Sequence, residues 1–341
     1  MSHFPNLIGS EEMKERIGDT AARGKLSHAY LIEGRSGSGR RTFALQLAAA
    51  ANCERQRSGC SLPCGECESC RKILSGKTPD VHILERGERA TVSVESIRDM
   101  RYEMGLSATE LEVSVFIVSD ADTMTAAAQN ALLIALEEPP RGTLILLLCE
   151  SAEKMLTTIR SRAQLLRMGY IAKSTMREHL LSVSPEARRL ANEEDRLDAV
   201  LNAADGRIGE ALRLLSGKTQ GELFRRREMI RELIAAFTEG KSYGSILSAA
   251  SALPTKRAEL SELFPMMLDA MRDLCALRRA PEAPLLFYSD REAARTLASK
   301  TDYARLFRIE SAIREAERDI LANANIQMVL TSLATIVFKR D

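Results

Sequence analysis

The sequence predicts a parallel α/β core, a small helical lid and a larger all-α C-terminal domain. Three observations carry this. Short apolar runs alternate with helical patterns up to about Cys149, strand signals vanish from about Tyr170, and long amphipathic stretches fill the chain from Gly221 onward. A length of 341 residues suits two or three domains of ordinary size. The expected boundaries are 1–169 for the core, with an inserted module at 53–70, then 170–218 for the lid and 219–341 for the helical domain.

His28–Glu33 reads as a short apolar strand that runs into the loop Gly34-Arg-Ser-Gly-Ser-Gly39. An Ala/Leu-rich helix follows from Arg40 to about Asn52. Val81–Leu84 is the second strand, and Val94–Met104 a helix with Ile97 and Met100 at helical spacing. Val113–Val118, almost continuously apolar, suits a parallel strand covered on both faces. Thr125–Glu138 is a helix stopped by Pro139-Pro140, and Leu144–Leu148 is the fourth strand. Beyond it, Met176–Val183, Pro185–Leu201 and Gly206–Leu215 read as short helical segments. The last third is helical, with breaks at Gly240, Pro254, Pro265 and Pro281–Pro284. No internal repeat or low-complexity segment stands out.

An apolar fraction of 45% with 28% charged residues excludes wholesale disorder. Lys+Arg number 48 against 47 Asp+Glu, so no global charge draws the chain to nucleic acid or anionic lipid. Contact with DNA then needs a local patch or a partner subunit. No run of 18 apolar residues exists, and the N-terminus MSHFPNLIGSEEMKER lacks the basic-then-apolar order of a signal peptide. A cytoplasmic protein is expected.

The glycine loop sits between a strand and a helix, where backbone amides wrap phosphates. That chemistry asks for G-x-x-x-x-G-K-[ST], in which Lys neutralises the outer phosphates and the hydroxyl holds Mg²⁺. Gly34 and Gly39 have the right spacing, with Gly37 between them. Arg40 stands where Lys belongs and Arg41 where Ser/Thr belongs; Thr42 falls one residue late, about 100° around the helix. The strand ending at Val118 should deliver an adjacent Asp–Glu pair, for metal and for attacking water. Ser119-Asp120-Ala121-Asp122 follows instead. Both halves of a hydrolytic site are degenerate, so the loop reads as a relic and productive ATP binding is not expected.

Four of the seven Cys lie between Cys60 and Cys70, with Cys53 just before. Clustered thiols in an unexported chain are metal ligands rather than disulfides. Cys64-Gly-Glu-Cys67-Glu-Ser-Cys70 gives two C-x-x-C steps sharing one thiolate, a spacing that presents three sulfurs to a tetrahedral Zn²⁺. Cys53 or Cys60 is the fourth ligand, with His82 a weaker option. An all-thiolate set makes the zinc structural rather than catalytic. A zinc-bearing DNA-binding module is a rival reading. Arg55, Arg57, Arg71, Lys72 and Lys77 supply charge near the cluster, but no aromatic residues interleave them for base stacking.

The order of these features resembles the gamma/tau/delta-prime family of bacterial DNA polymerase III clamp-loader subunits, members of the AAA+ superfamily. The resemblance rests on His28-Ala-Tyr-Leu-Ile-Glu-Gly34, the cysteine cluster, Thr78-Pro-Asp-Val-His82, Asn130-Ala-Leu-Leu-Ile-Ala-Leu-Glu-Glu-Pro-Pro140 and Thr158-Ile-Arg-Ser-Arg162. It covers about residues 4–163 and implies an AAA+ core, with the helical remainder matching in length a lid and an oligomerisation collar. It also implies Cys53 as the first zinc ligand. Motor members keep an intact loop and Asp–Glu pair, and the delta-prime branch commonly does not. Arg40-Arg41, Ser119-Asp120 and Gly209, which stands where a lid arginine would touch nucleotide, place the resemblance with that branch. Arg162 matches the arginine finger that such subunits project into a neighbour's ATP site, with Ala163 replacing the family's Cys; Arg160 lies two residues earlier. The implied partners are gamma/tau and delta subunits, with the sliding clamp and primed DNA reached through the assembled complex. An active gamma/tau-type motor is the alternative within the same family.

Overall fold

The computed structural model describes residues 3–56, 60–86, 91–240 and 242–339; Arg57 of the basic set lies outside them. The chain packs as two compact units, 1–178 with 206–210 and 179–205 with 211–341, so residues 170–218 are divided between them.

The first unit runs α1 (Glu11–Ala22), β1 (Ala29–Glu33), α2 (Arg40–Ala51), α3 (Glu68–Leu74), β2 (Val81–Leu84), α4 (Val94–Met104), β3 (Ser114–Val118), α5 (Ala126–Glu137), β4 (Thr143–Cys149), α6 (Thr157–Arg160) and β5 (Gln164–Arg167). The strands form one parallel sheet in the order β2-β3-β4-β1-β5, the parallel α/β core that the sequence predicts. Leu31 aligns with Leu147 on one side and Leu165 on the other. Successive side chains of a strand point to opposite faces. Tyr30, Ile32, Ile117 and Leu146 therefore pack with Phe43 and Leu47 of α2 on one face. Ala29, Leu31, Phe116 and Leu147 pack with Ile97 of α4 and Leu132 of α5 on the other. Two covered faces explain why these strands read as unbroken apolar runs.

Among the described residues five strands are present where four were expected. Gln164–Arg167 is only four residues long, its burial confined to Leu166 and partly Leu165. An edge strand half in water leaves no continuous apolar run for pattern reading. Helices α1 and α3 were also not expected. The sheet's loops are tied by polar contacts: Asp80, just before β2, is buried and its carboxylate accepts from the amides of Thr109, Glu110 and Leu111 at 2.8, 2.7 and 2.8 Å. This gives the Thr78-Pro-Asp motif a structural role.

The remaining helices are α7 (Lys173–Val183), α8 (Pro185–Leu190), α9 (Glu194–Ala204), α10 (Ile208–Leu215), α11 (Gly217–Glu239), α12 (Tyr243–Ser251), α13 (Arg257–Ser261), α14 (Phe264–Arg279), α15 (Arg291–Ser299), α16 (Tyr303–Leu321) and α17 (Ile326–Phe338). The single segment expected over Pro185–Leu201 is two helices, because the chain turns around Asn192 and Glu193 is the N-cap of α9. Gly240 ends α11 in the left-handed region, and Pro265 occupies the first turn of α14, where its missing N–H costs nothing. The core of the second unit is built from Phe237, Phe264, Met267, Leu274, Ile309, Ile313 and Leu330. Asp273, fully buried within it, accepts amide hydrogens from Leu286, Phe287 and Tyr288. No described helix is long and apolar enough to cross a membrane.

Candidate functional site

The glycine loop leaves the carboxyl end of β1, beside β4, and opens α2. Ligand crevices in open parallel sheets lie at such strand ends. Gly37 and Gly39 take φ of 81° and 93°, values open to glycine at little cost. Gly34 N–H donates to Cys149 O at 3.0 Å, fixing the loop to the end of β4.

Within this frame the arginines have partners from the chain itself. The Arg40 side chain is only 10% exposed, and its Nη2 stands 4.0 Å from both Asp120 and Glu150. Its Nη1 is buried without a hydrogen-bond partner. Arg41 pairs with Glu85, Thr42 is exposed, and Asp120, held at φ 49°, also meets Arg86 Nε at 3.5 Å. Glu150 accepts the Ser36 N–H at 3.0 Å, so a carboxylate takes a loop amide. Gly209 N–H donates to Gly37 O at 2.9 Å, and a Cβ at 209 would stand 3.1 Å from the Gly37 backbone.

The thiols of Cys53, Cys64, Cys67 and Cys70 all lie within 4.8 Å of one another, at the end of α2 and the start of α3. Cys60 is not in this group, and His82 instead stacks on Phe116 at 4.5 Å and meets Glu103 at 3.1 Å. Amides of Cys67 and Cys70 donate to the sulfurs of Cys64 and Cys67, each at 3.4 Å. Burial works to raise the Cys64 thiol, but the amides of Cys67 and Glu66 and the neighbouring thiols outweigh it and bring it down to about 7. Burial pushes the Cys53 and Cys70 thiols up. Zn–S bonds of about 2.3 Å put tetrahedral sulfurs about 3.8 Å apart, so this donor set suits a structural Zn²⁺. Two of the nearby basic groups are matched: Arg55 pairs with Glu66 at 2.7 Å and Lys72 with Glu68 at 3.0 Å.

Arg162 follows α6 and is 36% exposed; its guanidinium meets Glu137 at 2.8 Å and the Thr158 carbonyl at 3.0 Å. Arg160 is exposed and reaches Thr157 Oγ1 at 3.4 Å. Ala163 is buried. Asn130 and Glu137 on α5, and Glu138 just after it, are exposed.

A family model described as DNA polymerase III, delta subunit, matches residues 9–171, the stretch holding the glycine loop, the thiol cluster and Arg162. DNA polymerase III subunit delta' of Bacillus subtilis (strain 168) is 27% identical over 318 residues, 92% of this chain and 91% of that protein. The chain is thus similar to DNA polymerase III subunits over most of its length. DNA polymerase III subunit tau of the same organism is 31% identical over 212 residues, 62% of this chain but 37% of tau. A solved gamma subunit-related protein from Thermotoga maritima aligns over 95% of this chain and 99% of its own length, at 20% identity and a TM-score of 0.49.

Two residues of this chain escaped the sequence reading. Gln129 is buried on α5 and accepts the Leu156 N–H at 2.7 Å, anchoring the segment that enters α6 and leads to Arg162. Glu137 is the ion-pair partner of Arg162. Both fall inside the Asn130 motif or beside it, but only their partners, 27 and 25 residues onward, give them a role.

Proposed function

We propose that this chain is the delta-prime-type subunit of a DNA polymerase III clamp loader: a cytoplasmic, non-hydrolysing AAA+ protein that completes a neighbour's ATP site with Arg162. One observation carries the non-hydrolysing part. The positions that need a lysine and a hydroxyl hold Arg40 and Arg41, and carboxylates of the same chain, Asp120, Glu150 and Glu85, face them. Those residues do not fit a triphosphate with Mg²⁺: the buried cation already has anionic partners, Ser36 N–H is taken, and the Asp–Glu pair is absent. The alignment along nearly the whole of a delta' relative supports the same branch.

In this reading gamma/tau and delta subunits are the neighbours, and the sliding clamp and primed DNA are met through the complex. The second unit contributes the collar helices, and zinc on Cys53, Cys64, Cys67 and Cys70 locks the end of α2 to α3. Arg162 sits on a short exposed segment, positioned through Gln129 and able to exchange Glu137 for an external anion. A guanidinium entering from outside neutralises charge growing on a γ-phosphate, a contribution of roughly 10³–10⁵-fold at the site served.

The test is single-turnover ATP hydrolysis by the reconstituted complex. Arg162→Ala is expected to slow the adjoining site while leaving folding and assembly intact, and Arg160→Ala to be mild. Unchanged hydrolysis in Arg162→Ala complexes would make Arg162 a surface charge. ATP turnover by the isolated chain that vanishes in Asp120→Asn would favour the gamma/tau-type motor instead.

A further inference from the structure

The second unit contains a cleft of about 830 Å³ that the reading above does not use. One wall is α11, whose lining residues run from Phe224 to Glu239, about four turns or ~22 Å of helix. The Phe287–Asp290 segment and α15 supply much of the rest, with Arg196 of α9.

The lining carries five cations, Arg196, Arg225, Arg227, Arg231 and Lys300, against three carboxylates. Arg231 pairs with Glu228 at 2.6 Å, Lys300 with Glu239 at 2.9 Å and Arg196 with Glu193 at 2.8 Å. The third lining carboxylate, Asp290, caps α15 by accepting the Ala293 N–H at 3.0 Å. Among the described residues, no carboxylate forms an ion pair with Arg225 or Arg227. Arg227 is substantially buried: its Nη2 donates to the Phe287 carbonyl, and its guanidinium lies 4.6 Å over the Phe287 ring. Burial pulls its pKa down to about 10, the nearby carboxylates of Asp273 and Asp269 offsetting burial and the like charge of Arg231 only in part. Tyr288, 7% exposed, lines the same cleft, and its hydroxyl has no hydrogen-bond partner. A partly buried cation held in no direct ion pair and a buried hydroxyl without a partner each cost free energy that a ligand carboxylate would return.

The shape narrows the ligand. An elongated cleft with apolar stretches at Phe224, Ala235 and Leu297 suits a length of chain better than a compact anion. A nucleobase would compete for ring faces already covered, Phe224 by Arg196 at 5.1 Å and Phe287 by Arg227. We propose that this cleft is a docking site for a peptide segment of a partner protein that carries acidic side chains among apolar ones. The proposal is independent of the nucleotide-site reading.

The experiment pans a random peptide display library against the full zinc-loaded chain, then titrates fluorescein-labelled winners by anisotropy. The winners are expected to be net acidic with Leu or Phe between the charges. Arg225→Glu, an exposed change outside any core, is expected to weaken binding at least about tenfold with an unchanged melting temperature. Arg227→Met should weaken it further; if that variant fails to fold, Arg225→Glu alone decides. Failure to select any peptide, winners that are neutral or basic, or affinities untouched by Arg225→Glu would overturn the proposal. So would labelled oligothymidylate or inorganic phosphate binding in an Arg225-dependent way when the peptides do not.

Discussion

Cys53 and Cys60 offer the same sulfur to the same cluster, and local spacing does not separate them. The distinction is made by α2, which ends two residues before Cys53 and delivers that thiol into the core shared with Cys67 and Cys70. Cys60 lies in the intervening loop, outside the group. Metal analysis is expected to find about one zinc per chain, lost in Cys53→Ser and retained in Cys60→Ser. The reverse result would move the fourth ligand into the loop. At this scale the chemistry of the site was legible, because thiol spacing is a local property. The partners of Arg40 were not, since Asp120 and Glu150 end other strands and only the sheet brings them together.

At the scale of elements, α10 begins on the glycine loop, with Gly209 N–H donating to Gly37 O. A side chain at 209 must push against the Gly37 backbone at 3.1 Å. Gly209→Arg, which restores the residue type the family resemblance implies, is therefore expected to destabilise by about 1–3 kcal/mol rather than build a nucleotide contact. A melting temperature at or above that of the parent chain would contradict it. The Asp80 anchor makes a pH prediction. Burial works to raise its carboxyl, but the three amide donors outweigh it and hold it below the usual range. A group whose folded pKa is depressed contributes stability that is present above its unfolded pKa, about 4, and is lost as pH falls through the lower folded value. Thermal melts between neutral and strongly acid pH should show that loss, and Asp80→Asn should be less stable at pH 7 with a shallower acid decline. An acid decline of equal depth in both proteins would assign it to other carboxylates.

The two units have separate hydrophobic cores, and the thiol cluster belongs wholly to the first. Chains built this way do not unfold as one two-state system. Scanning calorimetry is expected to resolve two transitions, with chelation of the zinc lowering one and leaving the other in place. A single transition that shifts as a whole on chelation would mean that the units unfold together.

The sequence by itself determined the fold class, the position of the glycine loop, the arginines at its lysine and hydroxyl positions, and the grouping of three of the clustered thiols. Each of these is written within a few residues, as a periodicity or a spacing set by backbone geometry. Strands buried on both faces announced themselves through Val113–Val118 and Thr143–Cys149, whereas the half-exposed edge strand Gln164–Arg167 did not. Tertiary structure alone decided the counter-charges of Arg40 and Arg162, the seat of Gly209 on Gly37 and the cationic cleft along α11. These join residues tens of positions apart. Ion pairing and close packing depend on which surfaces the completed fold brings within a few ångströms, and local pattern carries no record of that.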